Sequence, residues 1–444
     1  MANNERNPFD PSLGTPPRII LPNYQSDFES PASVAQAIAY DDPNRVIFIT
    51  GLRGSGKTAL LTQIEQQVMK LANTYVVEID NNQRMVQNFG HNLKNIFKIH
   101  GLTDKIAAIS VMGFGLSFNK SNEDYTTQDI ENFMTMLTKL HKRVVIFIDE
   151  FNHKENTREF IQLLQNLKRH NLNFYLVADG LPKMIYDIEH DQTLTFLKRA
   201  RHIQTTMLNL NEIEMEYQKH LDFDPGVTHQ IAQLTGGYSF GFQLLGYKLW
   251  NATKLGQQPA KQQTFDAIKP LYIQDLFTQS YDIIFDNLSN HDREYLVGTA
   301  DNLTTTQIAS LMNYQKPAKQ QQNYVNQYRR RMIQQDLISP AGNGRVRFKL
   351  PLFKEYLADT QNPDSIRYNP FYWFEDGSCL STSQFLQRLY TKRKAQGIAA
   401  SLGFTVLLLV LKAISQTLSR SPVRFGGIKA PFLFSLTVDC PTSH

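Results

Sequence analysis

Arg45-Val-Ile-Phe-Ile-Thr-Gly-Leu-Arg-Gly-Ser-Gly-Lys-Thr58 is the stretch whose reading decides the fold. The β-branched and aromatic run 46–50 predicts a buried strand. It breaks at Gly51 into a glycine-rich turn, and Thr58 opens a predicted helix over about 59–69. The spacing G-x-x-x-x-G-K-T, with a strand before it and a helix after it, is that of a P-loop. Gly51, Gly54 and Gly56 let backbone N–H groups converge on an oxygen anion without Cβ interference. The helix N-terminus adds its dipole to the same anion. The expected phosphate-binding set is Gly51, Arg53, Gly54, Ser55, Gly56, Lys57, Thr58 and Ala59. Lys57 is expected to reach the β- and γ-phosphates, and the Thr58 hydroxyl to hold Mg2+.

Downstream, residues 75–80 read as a second strand and 83–99 as a helix. Residues 107–118 are β-prone, and 129–140 repeat apolar residues at helical spacing. The apolar run 144–148 then predicts a central parallel strand, and it ends in Asp149-Glu150. Asp149 is expected to bind Mg2+, directly or through Thr58 and water. Glu150, one residue on at the strand's C-terminal rim, is placed to orient and polarise an attacking water. A helix over 158–169 follows, with Thr157 its expected N-cap. The strand 173–178 ends at Asp179-Gly-Leu-Pro182, where Asp179 is expected to form a turn, because an acid repels phosphate unless neutralised. Lys198, Arg199 and Arg201 cluster after it. Two readings stand there: a solvated basic helix face, or an arginine finger, from Arg199 or Arg201, for a neighbour in a homo-oligomer.

The net charge of +5 is misleading. Residues 371–444 hold eight Lys and Arg against Glu375, Asp376 and Asp439, so this segment alone is +5 and residues 1–370 balance at 38 of each sign. Net charge therefore gives no argument for nucleic acid. Two cysteines, Cys379 and Cys440, make no disulfide framework, and no Cys/His spacing suggests zinc. With a polar start lacking an apolar core, a cytoplasmic location is expected.

The second half reads as helical over 211–260, with a glycine turn at Gly236-Gly237 feeding a helix to Trp250 that is placed as a lid. No Arg or Lys sits in that turn. Residues 289–357 predict three helices and a β-hairpin turning at Gly342-Asn-Gly344, the pattern of a winged helix. Between Tyr314 and Leu350 stand eight basic residues and one acid, Asp336. Lys319, Arg329, Arg330, Arg345 and Arg347 are the expected contacts to a DNA duplex, mostly to its phosphates, although winged helices also dock proteins. Residues 397–411 carry no charge over fifteen residues, a length of about 22 Å as a helix. The stretch 397–419 reads either as a membrane helix, giving a membrane-tethered form, or as a docked apolar helix.

In this order, the P-loop, Asp149-Glu150, Asp179-Gly-Leu-Pro182 and the winged-helix pattern resemble bacterial and archaeal AAA+ ATPases of the origin-recognition-like group, close to the STAND ATPases. Asn7-Pro-Phe9 with Pro11, Gly14, Pro16 and Pro17, the segment Phe196-Leu-Lys-Arg-Ala200, Gly237-Tyr238 with Gln243, and Phe348 through Tyr356-Leu357 look similar too. The resemblance covers about residues 1–360 and implies ATP and Mg2+ at 51–58 and hydrolysis through Glu150, with Lys57 assisting. It departs at Ile20-Leu-Pro22, where such proteins usually carry Gly-Arg near the base, and at Asp179, which is not the usual sensor residue. The expected fold is an α/β P-loop NTPase sheet with helices on both faces. The expected domains are an arm (1–44), an ATPase core (45–210), a helical lid (211–275), a winged helix (276–360) and a basic, apolar tail (361–444). The expected function is an ATP-hydrolysing switch. Its rivals are a nucleotide-gated interaction protein with negligible turnover and a P-loop small-molecule kinase.

Overall fold

Along the central strands, successive side chains enter different helical layers. Strand β1 (Val46–Thr50) follows helix α1 (Pro31–Ala39) and leads through the glycine loop into α2 (Lys57–Val68). Then come β2 (Thr74–Glu78), α3 (Met85–Ile99), α4 (Thr127–Lys139), β3 (Arg143–Ile148), α5 (Glu155–Arg169), β4 (Phe174–Gly180), α6 (Pro182–Glu189) and β5 (Arg201–Gln204). The five strands are all parallel, in the order β2-β3-β4-β1-β5. Val46, Phe48, Ile146, Ile148 and Leu176 face the layer of α3 to α6. Their neighbours Ile47, Ile49, Val145, Phe147 and Val177 pack on Ile38, Leu60 and Ile64 of α1 and α2. Both faces are covered, which is why these strands read as unbroken apolar runs. Each such side chain contributes about 1.5–3 kcal/mol on burial.

The computed structural model describes residues 6–361, apart from 13–15, 82–83, 102–124, 153–154, 191–194 and 343–344. The chain divides into two units, 1–368 and 369–444. The second lies outside the described residues, as do the β-prone stretch 107–118 and the apolar run 397–419. Among the described residues no helix is long and apolar enough to cross a membrane.

Register fixes where the site lies. Ile148 and Phe48 both pair with Ala178, and Thr50 pairs with Gly180. Asp149, Asp179 and Gly51 therefore emerge at one C-terminal rim, the side on which parallel sheets bind ligands.

The second half is helical: α7 (Leu210–His220), α8 (Pro225–Thr235), α9 (Ser239–Trp250), α10 (Gln262–Leu276) and α11 (Asp282–Asp286). Next stand α12 (Asn290–Ala300), α13 (Thr305–Leu311) and α14 (Ala318–Gln334), then an antiparallel hairpin of β6 (Ile338–Pro340) and β7 (Val346–Phe348), and α15 (Phe353–Gln361). Capping boxes at Ser289 with Asp292 and at Thr304 with Gln307 start α12 and α13. One core joins these elements to the arm: Phe9, Tyr217, Phe242, Tyr281, Met332 and Tyr356 are all buried in it.

Two expectations fail locally. Helix α5 begins at Glu155, so Thr157 lies within its first turn instead of capping it, and its buried hydroxyl has no hydrogen-bond partner among the described residues. Asp179 is not in a turn. It is the penultimate residue of β4 and only 1% exposed, because the strand continues two residues past the apolar run.

Candidate functional site

The glycine loop takes its shape from left-handed backbone and from what presses on it. Gly54 has φ +72° and Gly56 φ +87°, and a Cβ at Gly54 would fall 2.3 Å from the Tyr238 hydroxyl. Only glycine meets both demands. Tyr238 Oη donates to Arg53 O (2.7 Å), Phe240 N to Gly54 O (3.0 Å), and Asn23 Nδ2 to Ser55 O (2.8 Å). Ser239 Oγ also donates to Ser55 O at 3.1 Å. In a trans peptide the N–H points opposite to its C=O, so the amides of Gly54 and Gly56 turn away from the lid and the arm. Helix α2 starts at Gly56 with no side-chain cap, leaving its first N–H groups for an anion. On the loop's other side the Ser55 hydroxyl meets Thr205 Oγ1 at 2.6 Å.

Lys57 Nζ folds over the loop and donates to Leu52 O at 3.0 Å. Burial depresses its ammonium below the usual lysine range, and the carboxylates of Asp179 and Asp149 oppose that shift. Thr58 Oγ1 donates to Asp149 Oδ1 at 3.2 Å. The residues that the sequence separates by ninety positions are thus side by side.

Glu150 has φ +53°, a conformation costing a non-glycine residue about 1–3 kcal/mol and held only where surroundings over-determine it. Here they do. Glu150 N donates to Asp179 Oδ1 (2.7 Å) and Asp149 Oδ1 (3.0 Å), and its carbonyl accepts from Asn81 Nδ2 (2.7 Å) and Asn152 Nδ2 (3.4 Å). Asp179 is therefore the brace of the Asp149-Glu150 corner. Burial, and then the adjacent Asp149 carboxylate, push the Asp179 acid up to about 8, so it is uncharged at neutral pH. This is how an acid is tolerated at a strand end beside a phosphate loop.

A cavity of about 590 Å³ opens over these groups. Its walls include Arg53, Gly54 and Gly56 to Ala59 of the loop, with Asp149, Glu150 and Asp179. The N-terminal segment contributes Pro17, Ile19 and Leu21, helix α9 Ser239 and Gln243, and the C-terminal helices Arg331 and Gln335. Gly51 and Ser55 shape the loop without lining the cavity: a Cβ at Gly51 would meet Thr205 Oγ1 at 1.8 Å.

Of the basic residues expected at DNA, Lys319, Arg330, Arg345 and Arg347 are exposed. Arg329 instead braces the hairpin, donating to Arg345 O at 3.3 Å. Lys349 is paired with Asp336 and Arg331 with Asp292. Arg201 sits on β5 with its guanidinium on Phe28 O, whereas Arg199 is exposed. Sequence reasoning missed Asn23, Asn81, Thr205 and Arg331. Asn81 had a signal, a polar residue just past the end of β2. Asn23, Thr205 and Arg331 had none, because they reach the site only through tertiary packing.

Residues 35–186 match a family model described as an ATPase domain predominantly from Archaea. Residues 278–357 match one described as a domain of unknown function. No curated protein matches the chain. Among solved structures it is similar to the Walker-type ATPase PABY2304 of Pyrococcus abyssi, at 13% identity and TM-score 0.49, over 75% of this chain and 95% of that one. It is similar to the Aeropyrum pernix ORC2 protein in its ADPNP–ADP complexes, at 12% identity and TM-score 0.45, over 77% and 95% of the two chains. A third is Cdc6p from Pyrobaculum aerophilum, at 12% identity and TM-score 0.38, over 78% and 96%. The glycine loop and the parallel sheet give the N-terminal half a P-loop NTPase fold, and residues 35–186 within it are those that the ATPase-domain model matches.

Proposed function

We propose that the chain binds ATP with Mg2+ in this cavity, hydrolyses it, and passes the nucleotide state to its C-terminal helices and hairpin. The single observation that carries the reading is the meeting of Lys57, Thr58, Asp149 and Glu150 on one rim around one cavity. Gly54 to Ala59 would hold the phosphates through backbone amides, and Lys57 would neutralise the β- and γ-phosphates. Thr58 Oγ1 and the Asp149 carboxylate are two hard oxygen donors 3.2 Å apart, a set that fits Mg2+. Bound there, the ion would supply neutralisation of the phosphate charge. Glu150 orients the attacking water and takes its proton, and its braced backbone keeps the carboxylate at the cavity wall.

In this reading 1–44 is an arm, 45–210 the ATPase core, 211–275 the lid and 276–360 a winged helix. Its target is duplex DNA, met through Lys319, Arg330, Arg345 and Arg347. Four phosphate contacts give a log–log salt slope of roughly −3 to −4, and binding that does not weaken with salt removes DNA from the scheme. In a homo-oligomer, Arg199 is the exposed arginine for a neighbour's phosphate.

Phosphate release by wild type, Lys57→Ala and Glu150→Gln tests the enzyme. Glu150→Gln should bind ATP and turn over about 100-fold more slowly or worse, and Lys57→Ala should lose binding. Equal rates for wild type and Glu150→Gln would remove the hydrolytic role. One observation favours the rival of a slow, nucleotide-gated interaction protein: the Glu150 carboxylate has no hydrogen-bond partner among the described residues. Binding with negligible turnover in both proteins is its signature.

A further inference from the structure

Arg331 belongs to the basic run Arg329-Arg330-Arg331 of α14, yet its guanidinium is paired with a buried acid. Its Nη2 donates to Asp292 Oδ2 at 2.8 Å. The same residue lines the cavity that holds Lys57, Thr58 and Asp149. Asp292 is wholly buried, its Oδ2 also accepting from Ser289 N and Oγ, while its Oδ1 has no partner. An arginine presents five donors in a rigid fork, and the bond to Asp292 uses one of them. The lid brings no cation there: its lining residues are Ser239, Phe240, Phe242 and Gln243. Asp10, Asp149 and Glu150 share the lining with Arg53, Lys57 and Lys183, so these cations face acids as well as a triphosphate and leave a place for one more.

We propose that Arg331 is a phosphate ligand of the bound nucleotide, delivered in cis by the C-terminal helices and held ready by Asp292. This rests on the reading of the cavity as the nucleotide site. The contact makes the nucleotide itself the tie between the ATPase domain and α14. It also explains why a residue that sequence groups with a DNA-facing run is anchored to a buried carboxylate. A charge-assisted fork to phosphate discriminates by geometry as well as charge, so lysine cannot replace it fully.

The test is equilibrium binding of fluorescent mant-ATP with Mg2+ to the full chain, in wild type, Lys57→Ala, Arg331→Ala, Arg331→Lys and the double variant Arg331→Ala with Asp292→Asn. Arg331→Ala should bind about tenfold or more weakly, and Arg331→Lys should recover part of the loss. The double variant leaves no uncompensated buried carboxylate, so it serves even where the single one folds poorly. It should remain as weak as Arg331→Ala. Wild-type affinity in the double variant would show Arg331 to be structural only and would overturn the proposal, as would undiminished binding by Arg331→Ala. Failure of wild type to bind, or tight binding by Lys57→Ala, would instead sink the nucleotide reading of the cavity.

Discussion

Gln204, the last residue of β5, donates a 2.8 Å hydrogen bond to Asp336 at the start of the hairpin. The next residue, Thr205, holds Ser55 of the glycine loop. The phosphate loop and the C-terminal block are therefore joined through two adjacent residues of one chain segment. Asp336 also pairs with Lys349 of the hairpin, so the carboxylate ties core to hairpin from both sides.

Asp336 has φ +64°, which asparagine tolerates and alanine does not. Asp336→Asn keeps an acceptor for Gln204 and loses the charge pairing with Lys349, so it should cost about 1 kcal/mol. Asp336→Ala adds the left-handed backbone penalty and should cost about 2 kcal/mol or more. Urea unfolding of both variants checks this. Identical midpoints for the two would mean that the backbone conformation contributes nothing.

Tyr238 joins lid to loop. Its hydroxyl serves Arg53 O and Ser280 Oγ, both at 2.7 Å, from a fully buried ring. Tyr238→Phe keeps the packing and strands two buried polar groups, a loss of about 1–3 kcal/mol. Because one of them is a loop carbonyl, mant-ATP affinity should fall together with stability. A stability loss with unchanged affinity would show that the lid does not shape the loop.

The phosphate loop, the Asp149-Glu150 corner and the central strands were legible because local signals agree there: strand, glycine turn and helix, then an apolar run ending in acids. The strand order was not, since β5 is four residues long with little apolar periodicity, and its place beside β1 is a tertiary outcome. Asp179 was misread for a physical reason. Sequence shows a carboxylate beside a glycine, the composition of a turn, and it cannot show that burial removes the charge. Arg331 was missed because a run of three arginines looks like one surface, whereas neighbours on a helix point about 100° apart.

Stability should depend on pH through Glu65 of α2. Burial, then contact with Glu78, pushes its carboxyl up from 4.5 to about 7. The folded state thus binds the proton more tightly than the unfolded state. Its stabilising contribution is present below about pH 4.5 and is lost as pH rises through about 7. Glu65→Gln mimics the protonated side chain. Its melting temperature should match wild type near pH 4.5 and exceed it near pH 8. An equal difference at both pH values would detach the effect from this carboxyl.

The arm supplies the last prediction. Phe9 is 1% exposed and packs on Tyr217 and Phe242 at centroid distances of 5.5 and 5.6 Å. Beyond it, Gln243 of the lid accepts from Asp10 N (2.9 Å) and donates to Ile19 O (2.7 Å), pinning both ends of the segment that lines the cavity. Phe9→Ala removes the anchor, with a loss of the order of 3–5 kcal/mol for docking a buried phenylalanine. Since the arm can leave without unfolding the sheet, the effect should show first as faster proteolysis within residues 6–22 and only modestly in global unfolding. Of the arm it is Asn23, not the segment held by Phe9, that bonds the glycine loop, so release of that segment should weaken mant-ATP and mant-ADP by the same factor. Lys57→Ala and Arg331→Ala should instead change the two unequally, because they act on phosphate charge. If Phe9→Ala separates ATP from ADP, the arm's role lies at the phosphates and the assignment of the cavity's two ends must be reversed.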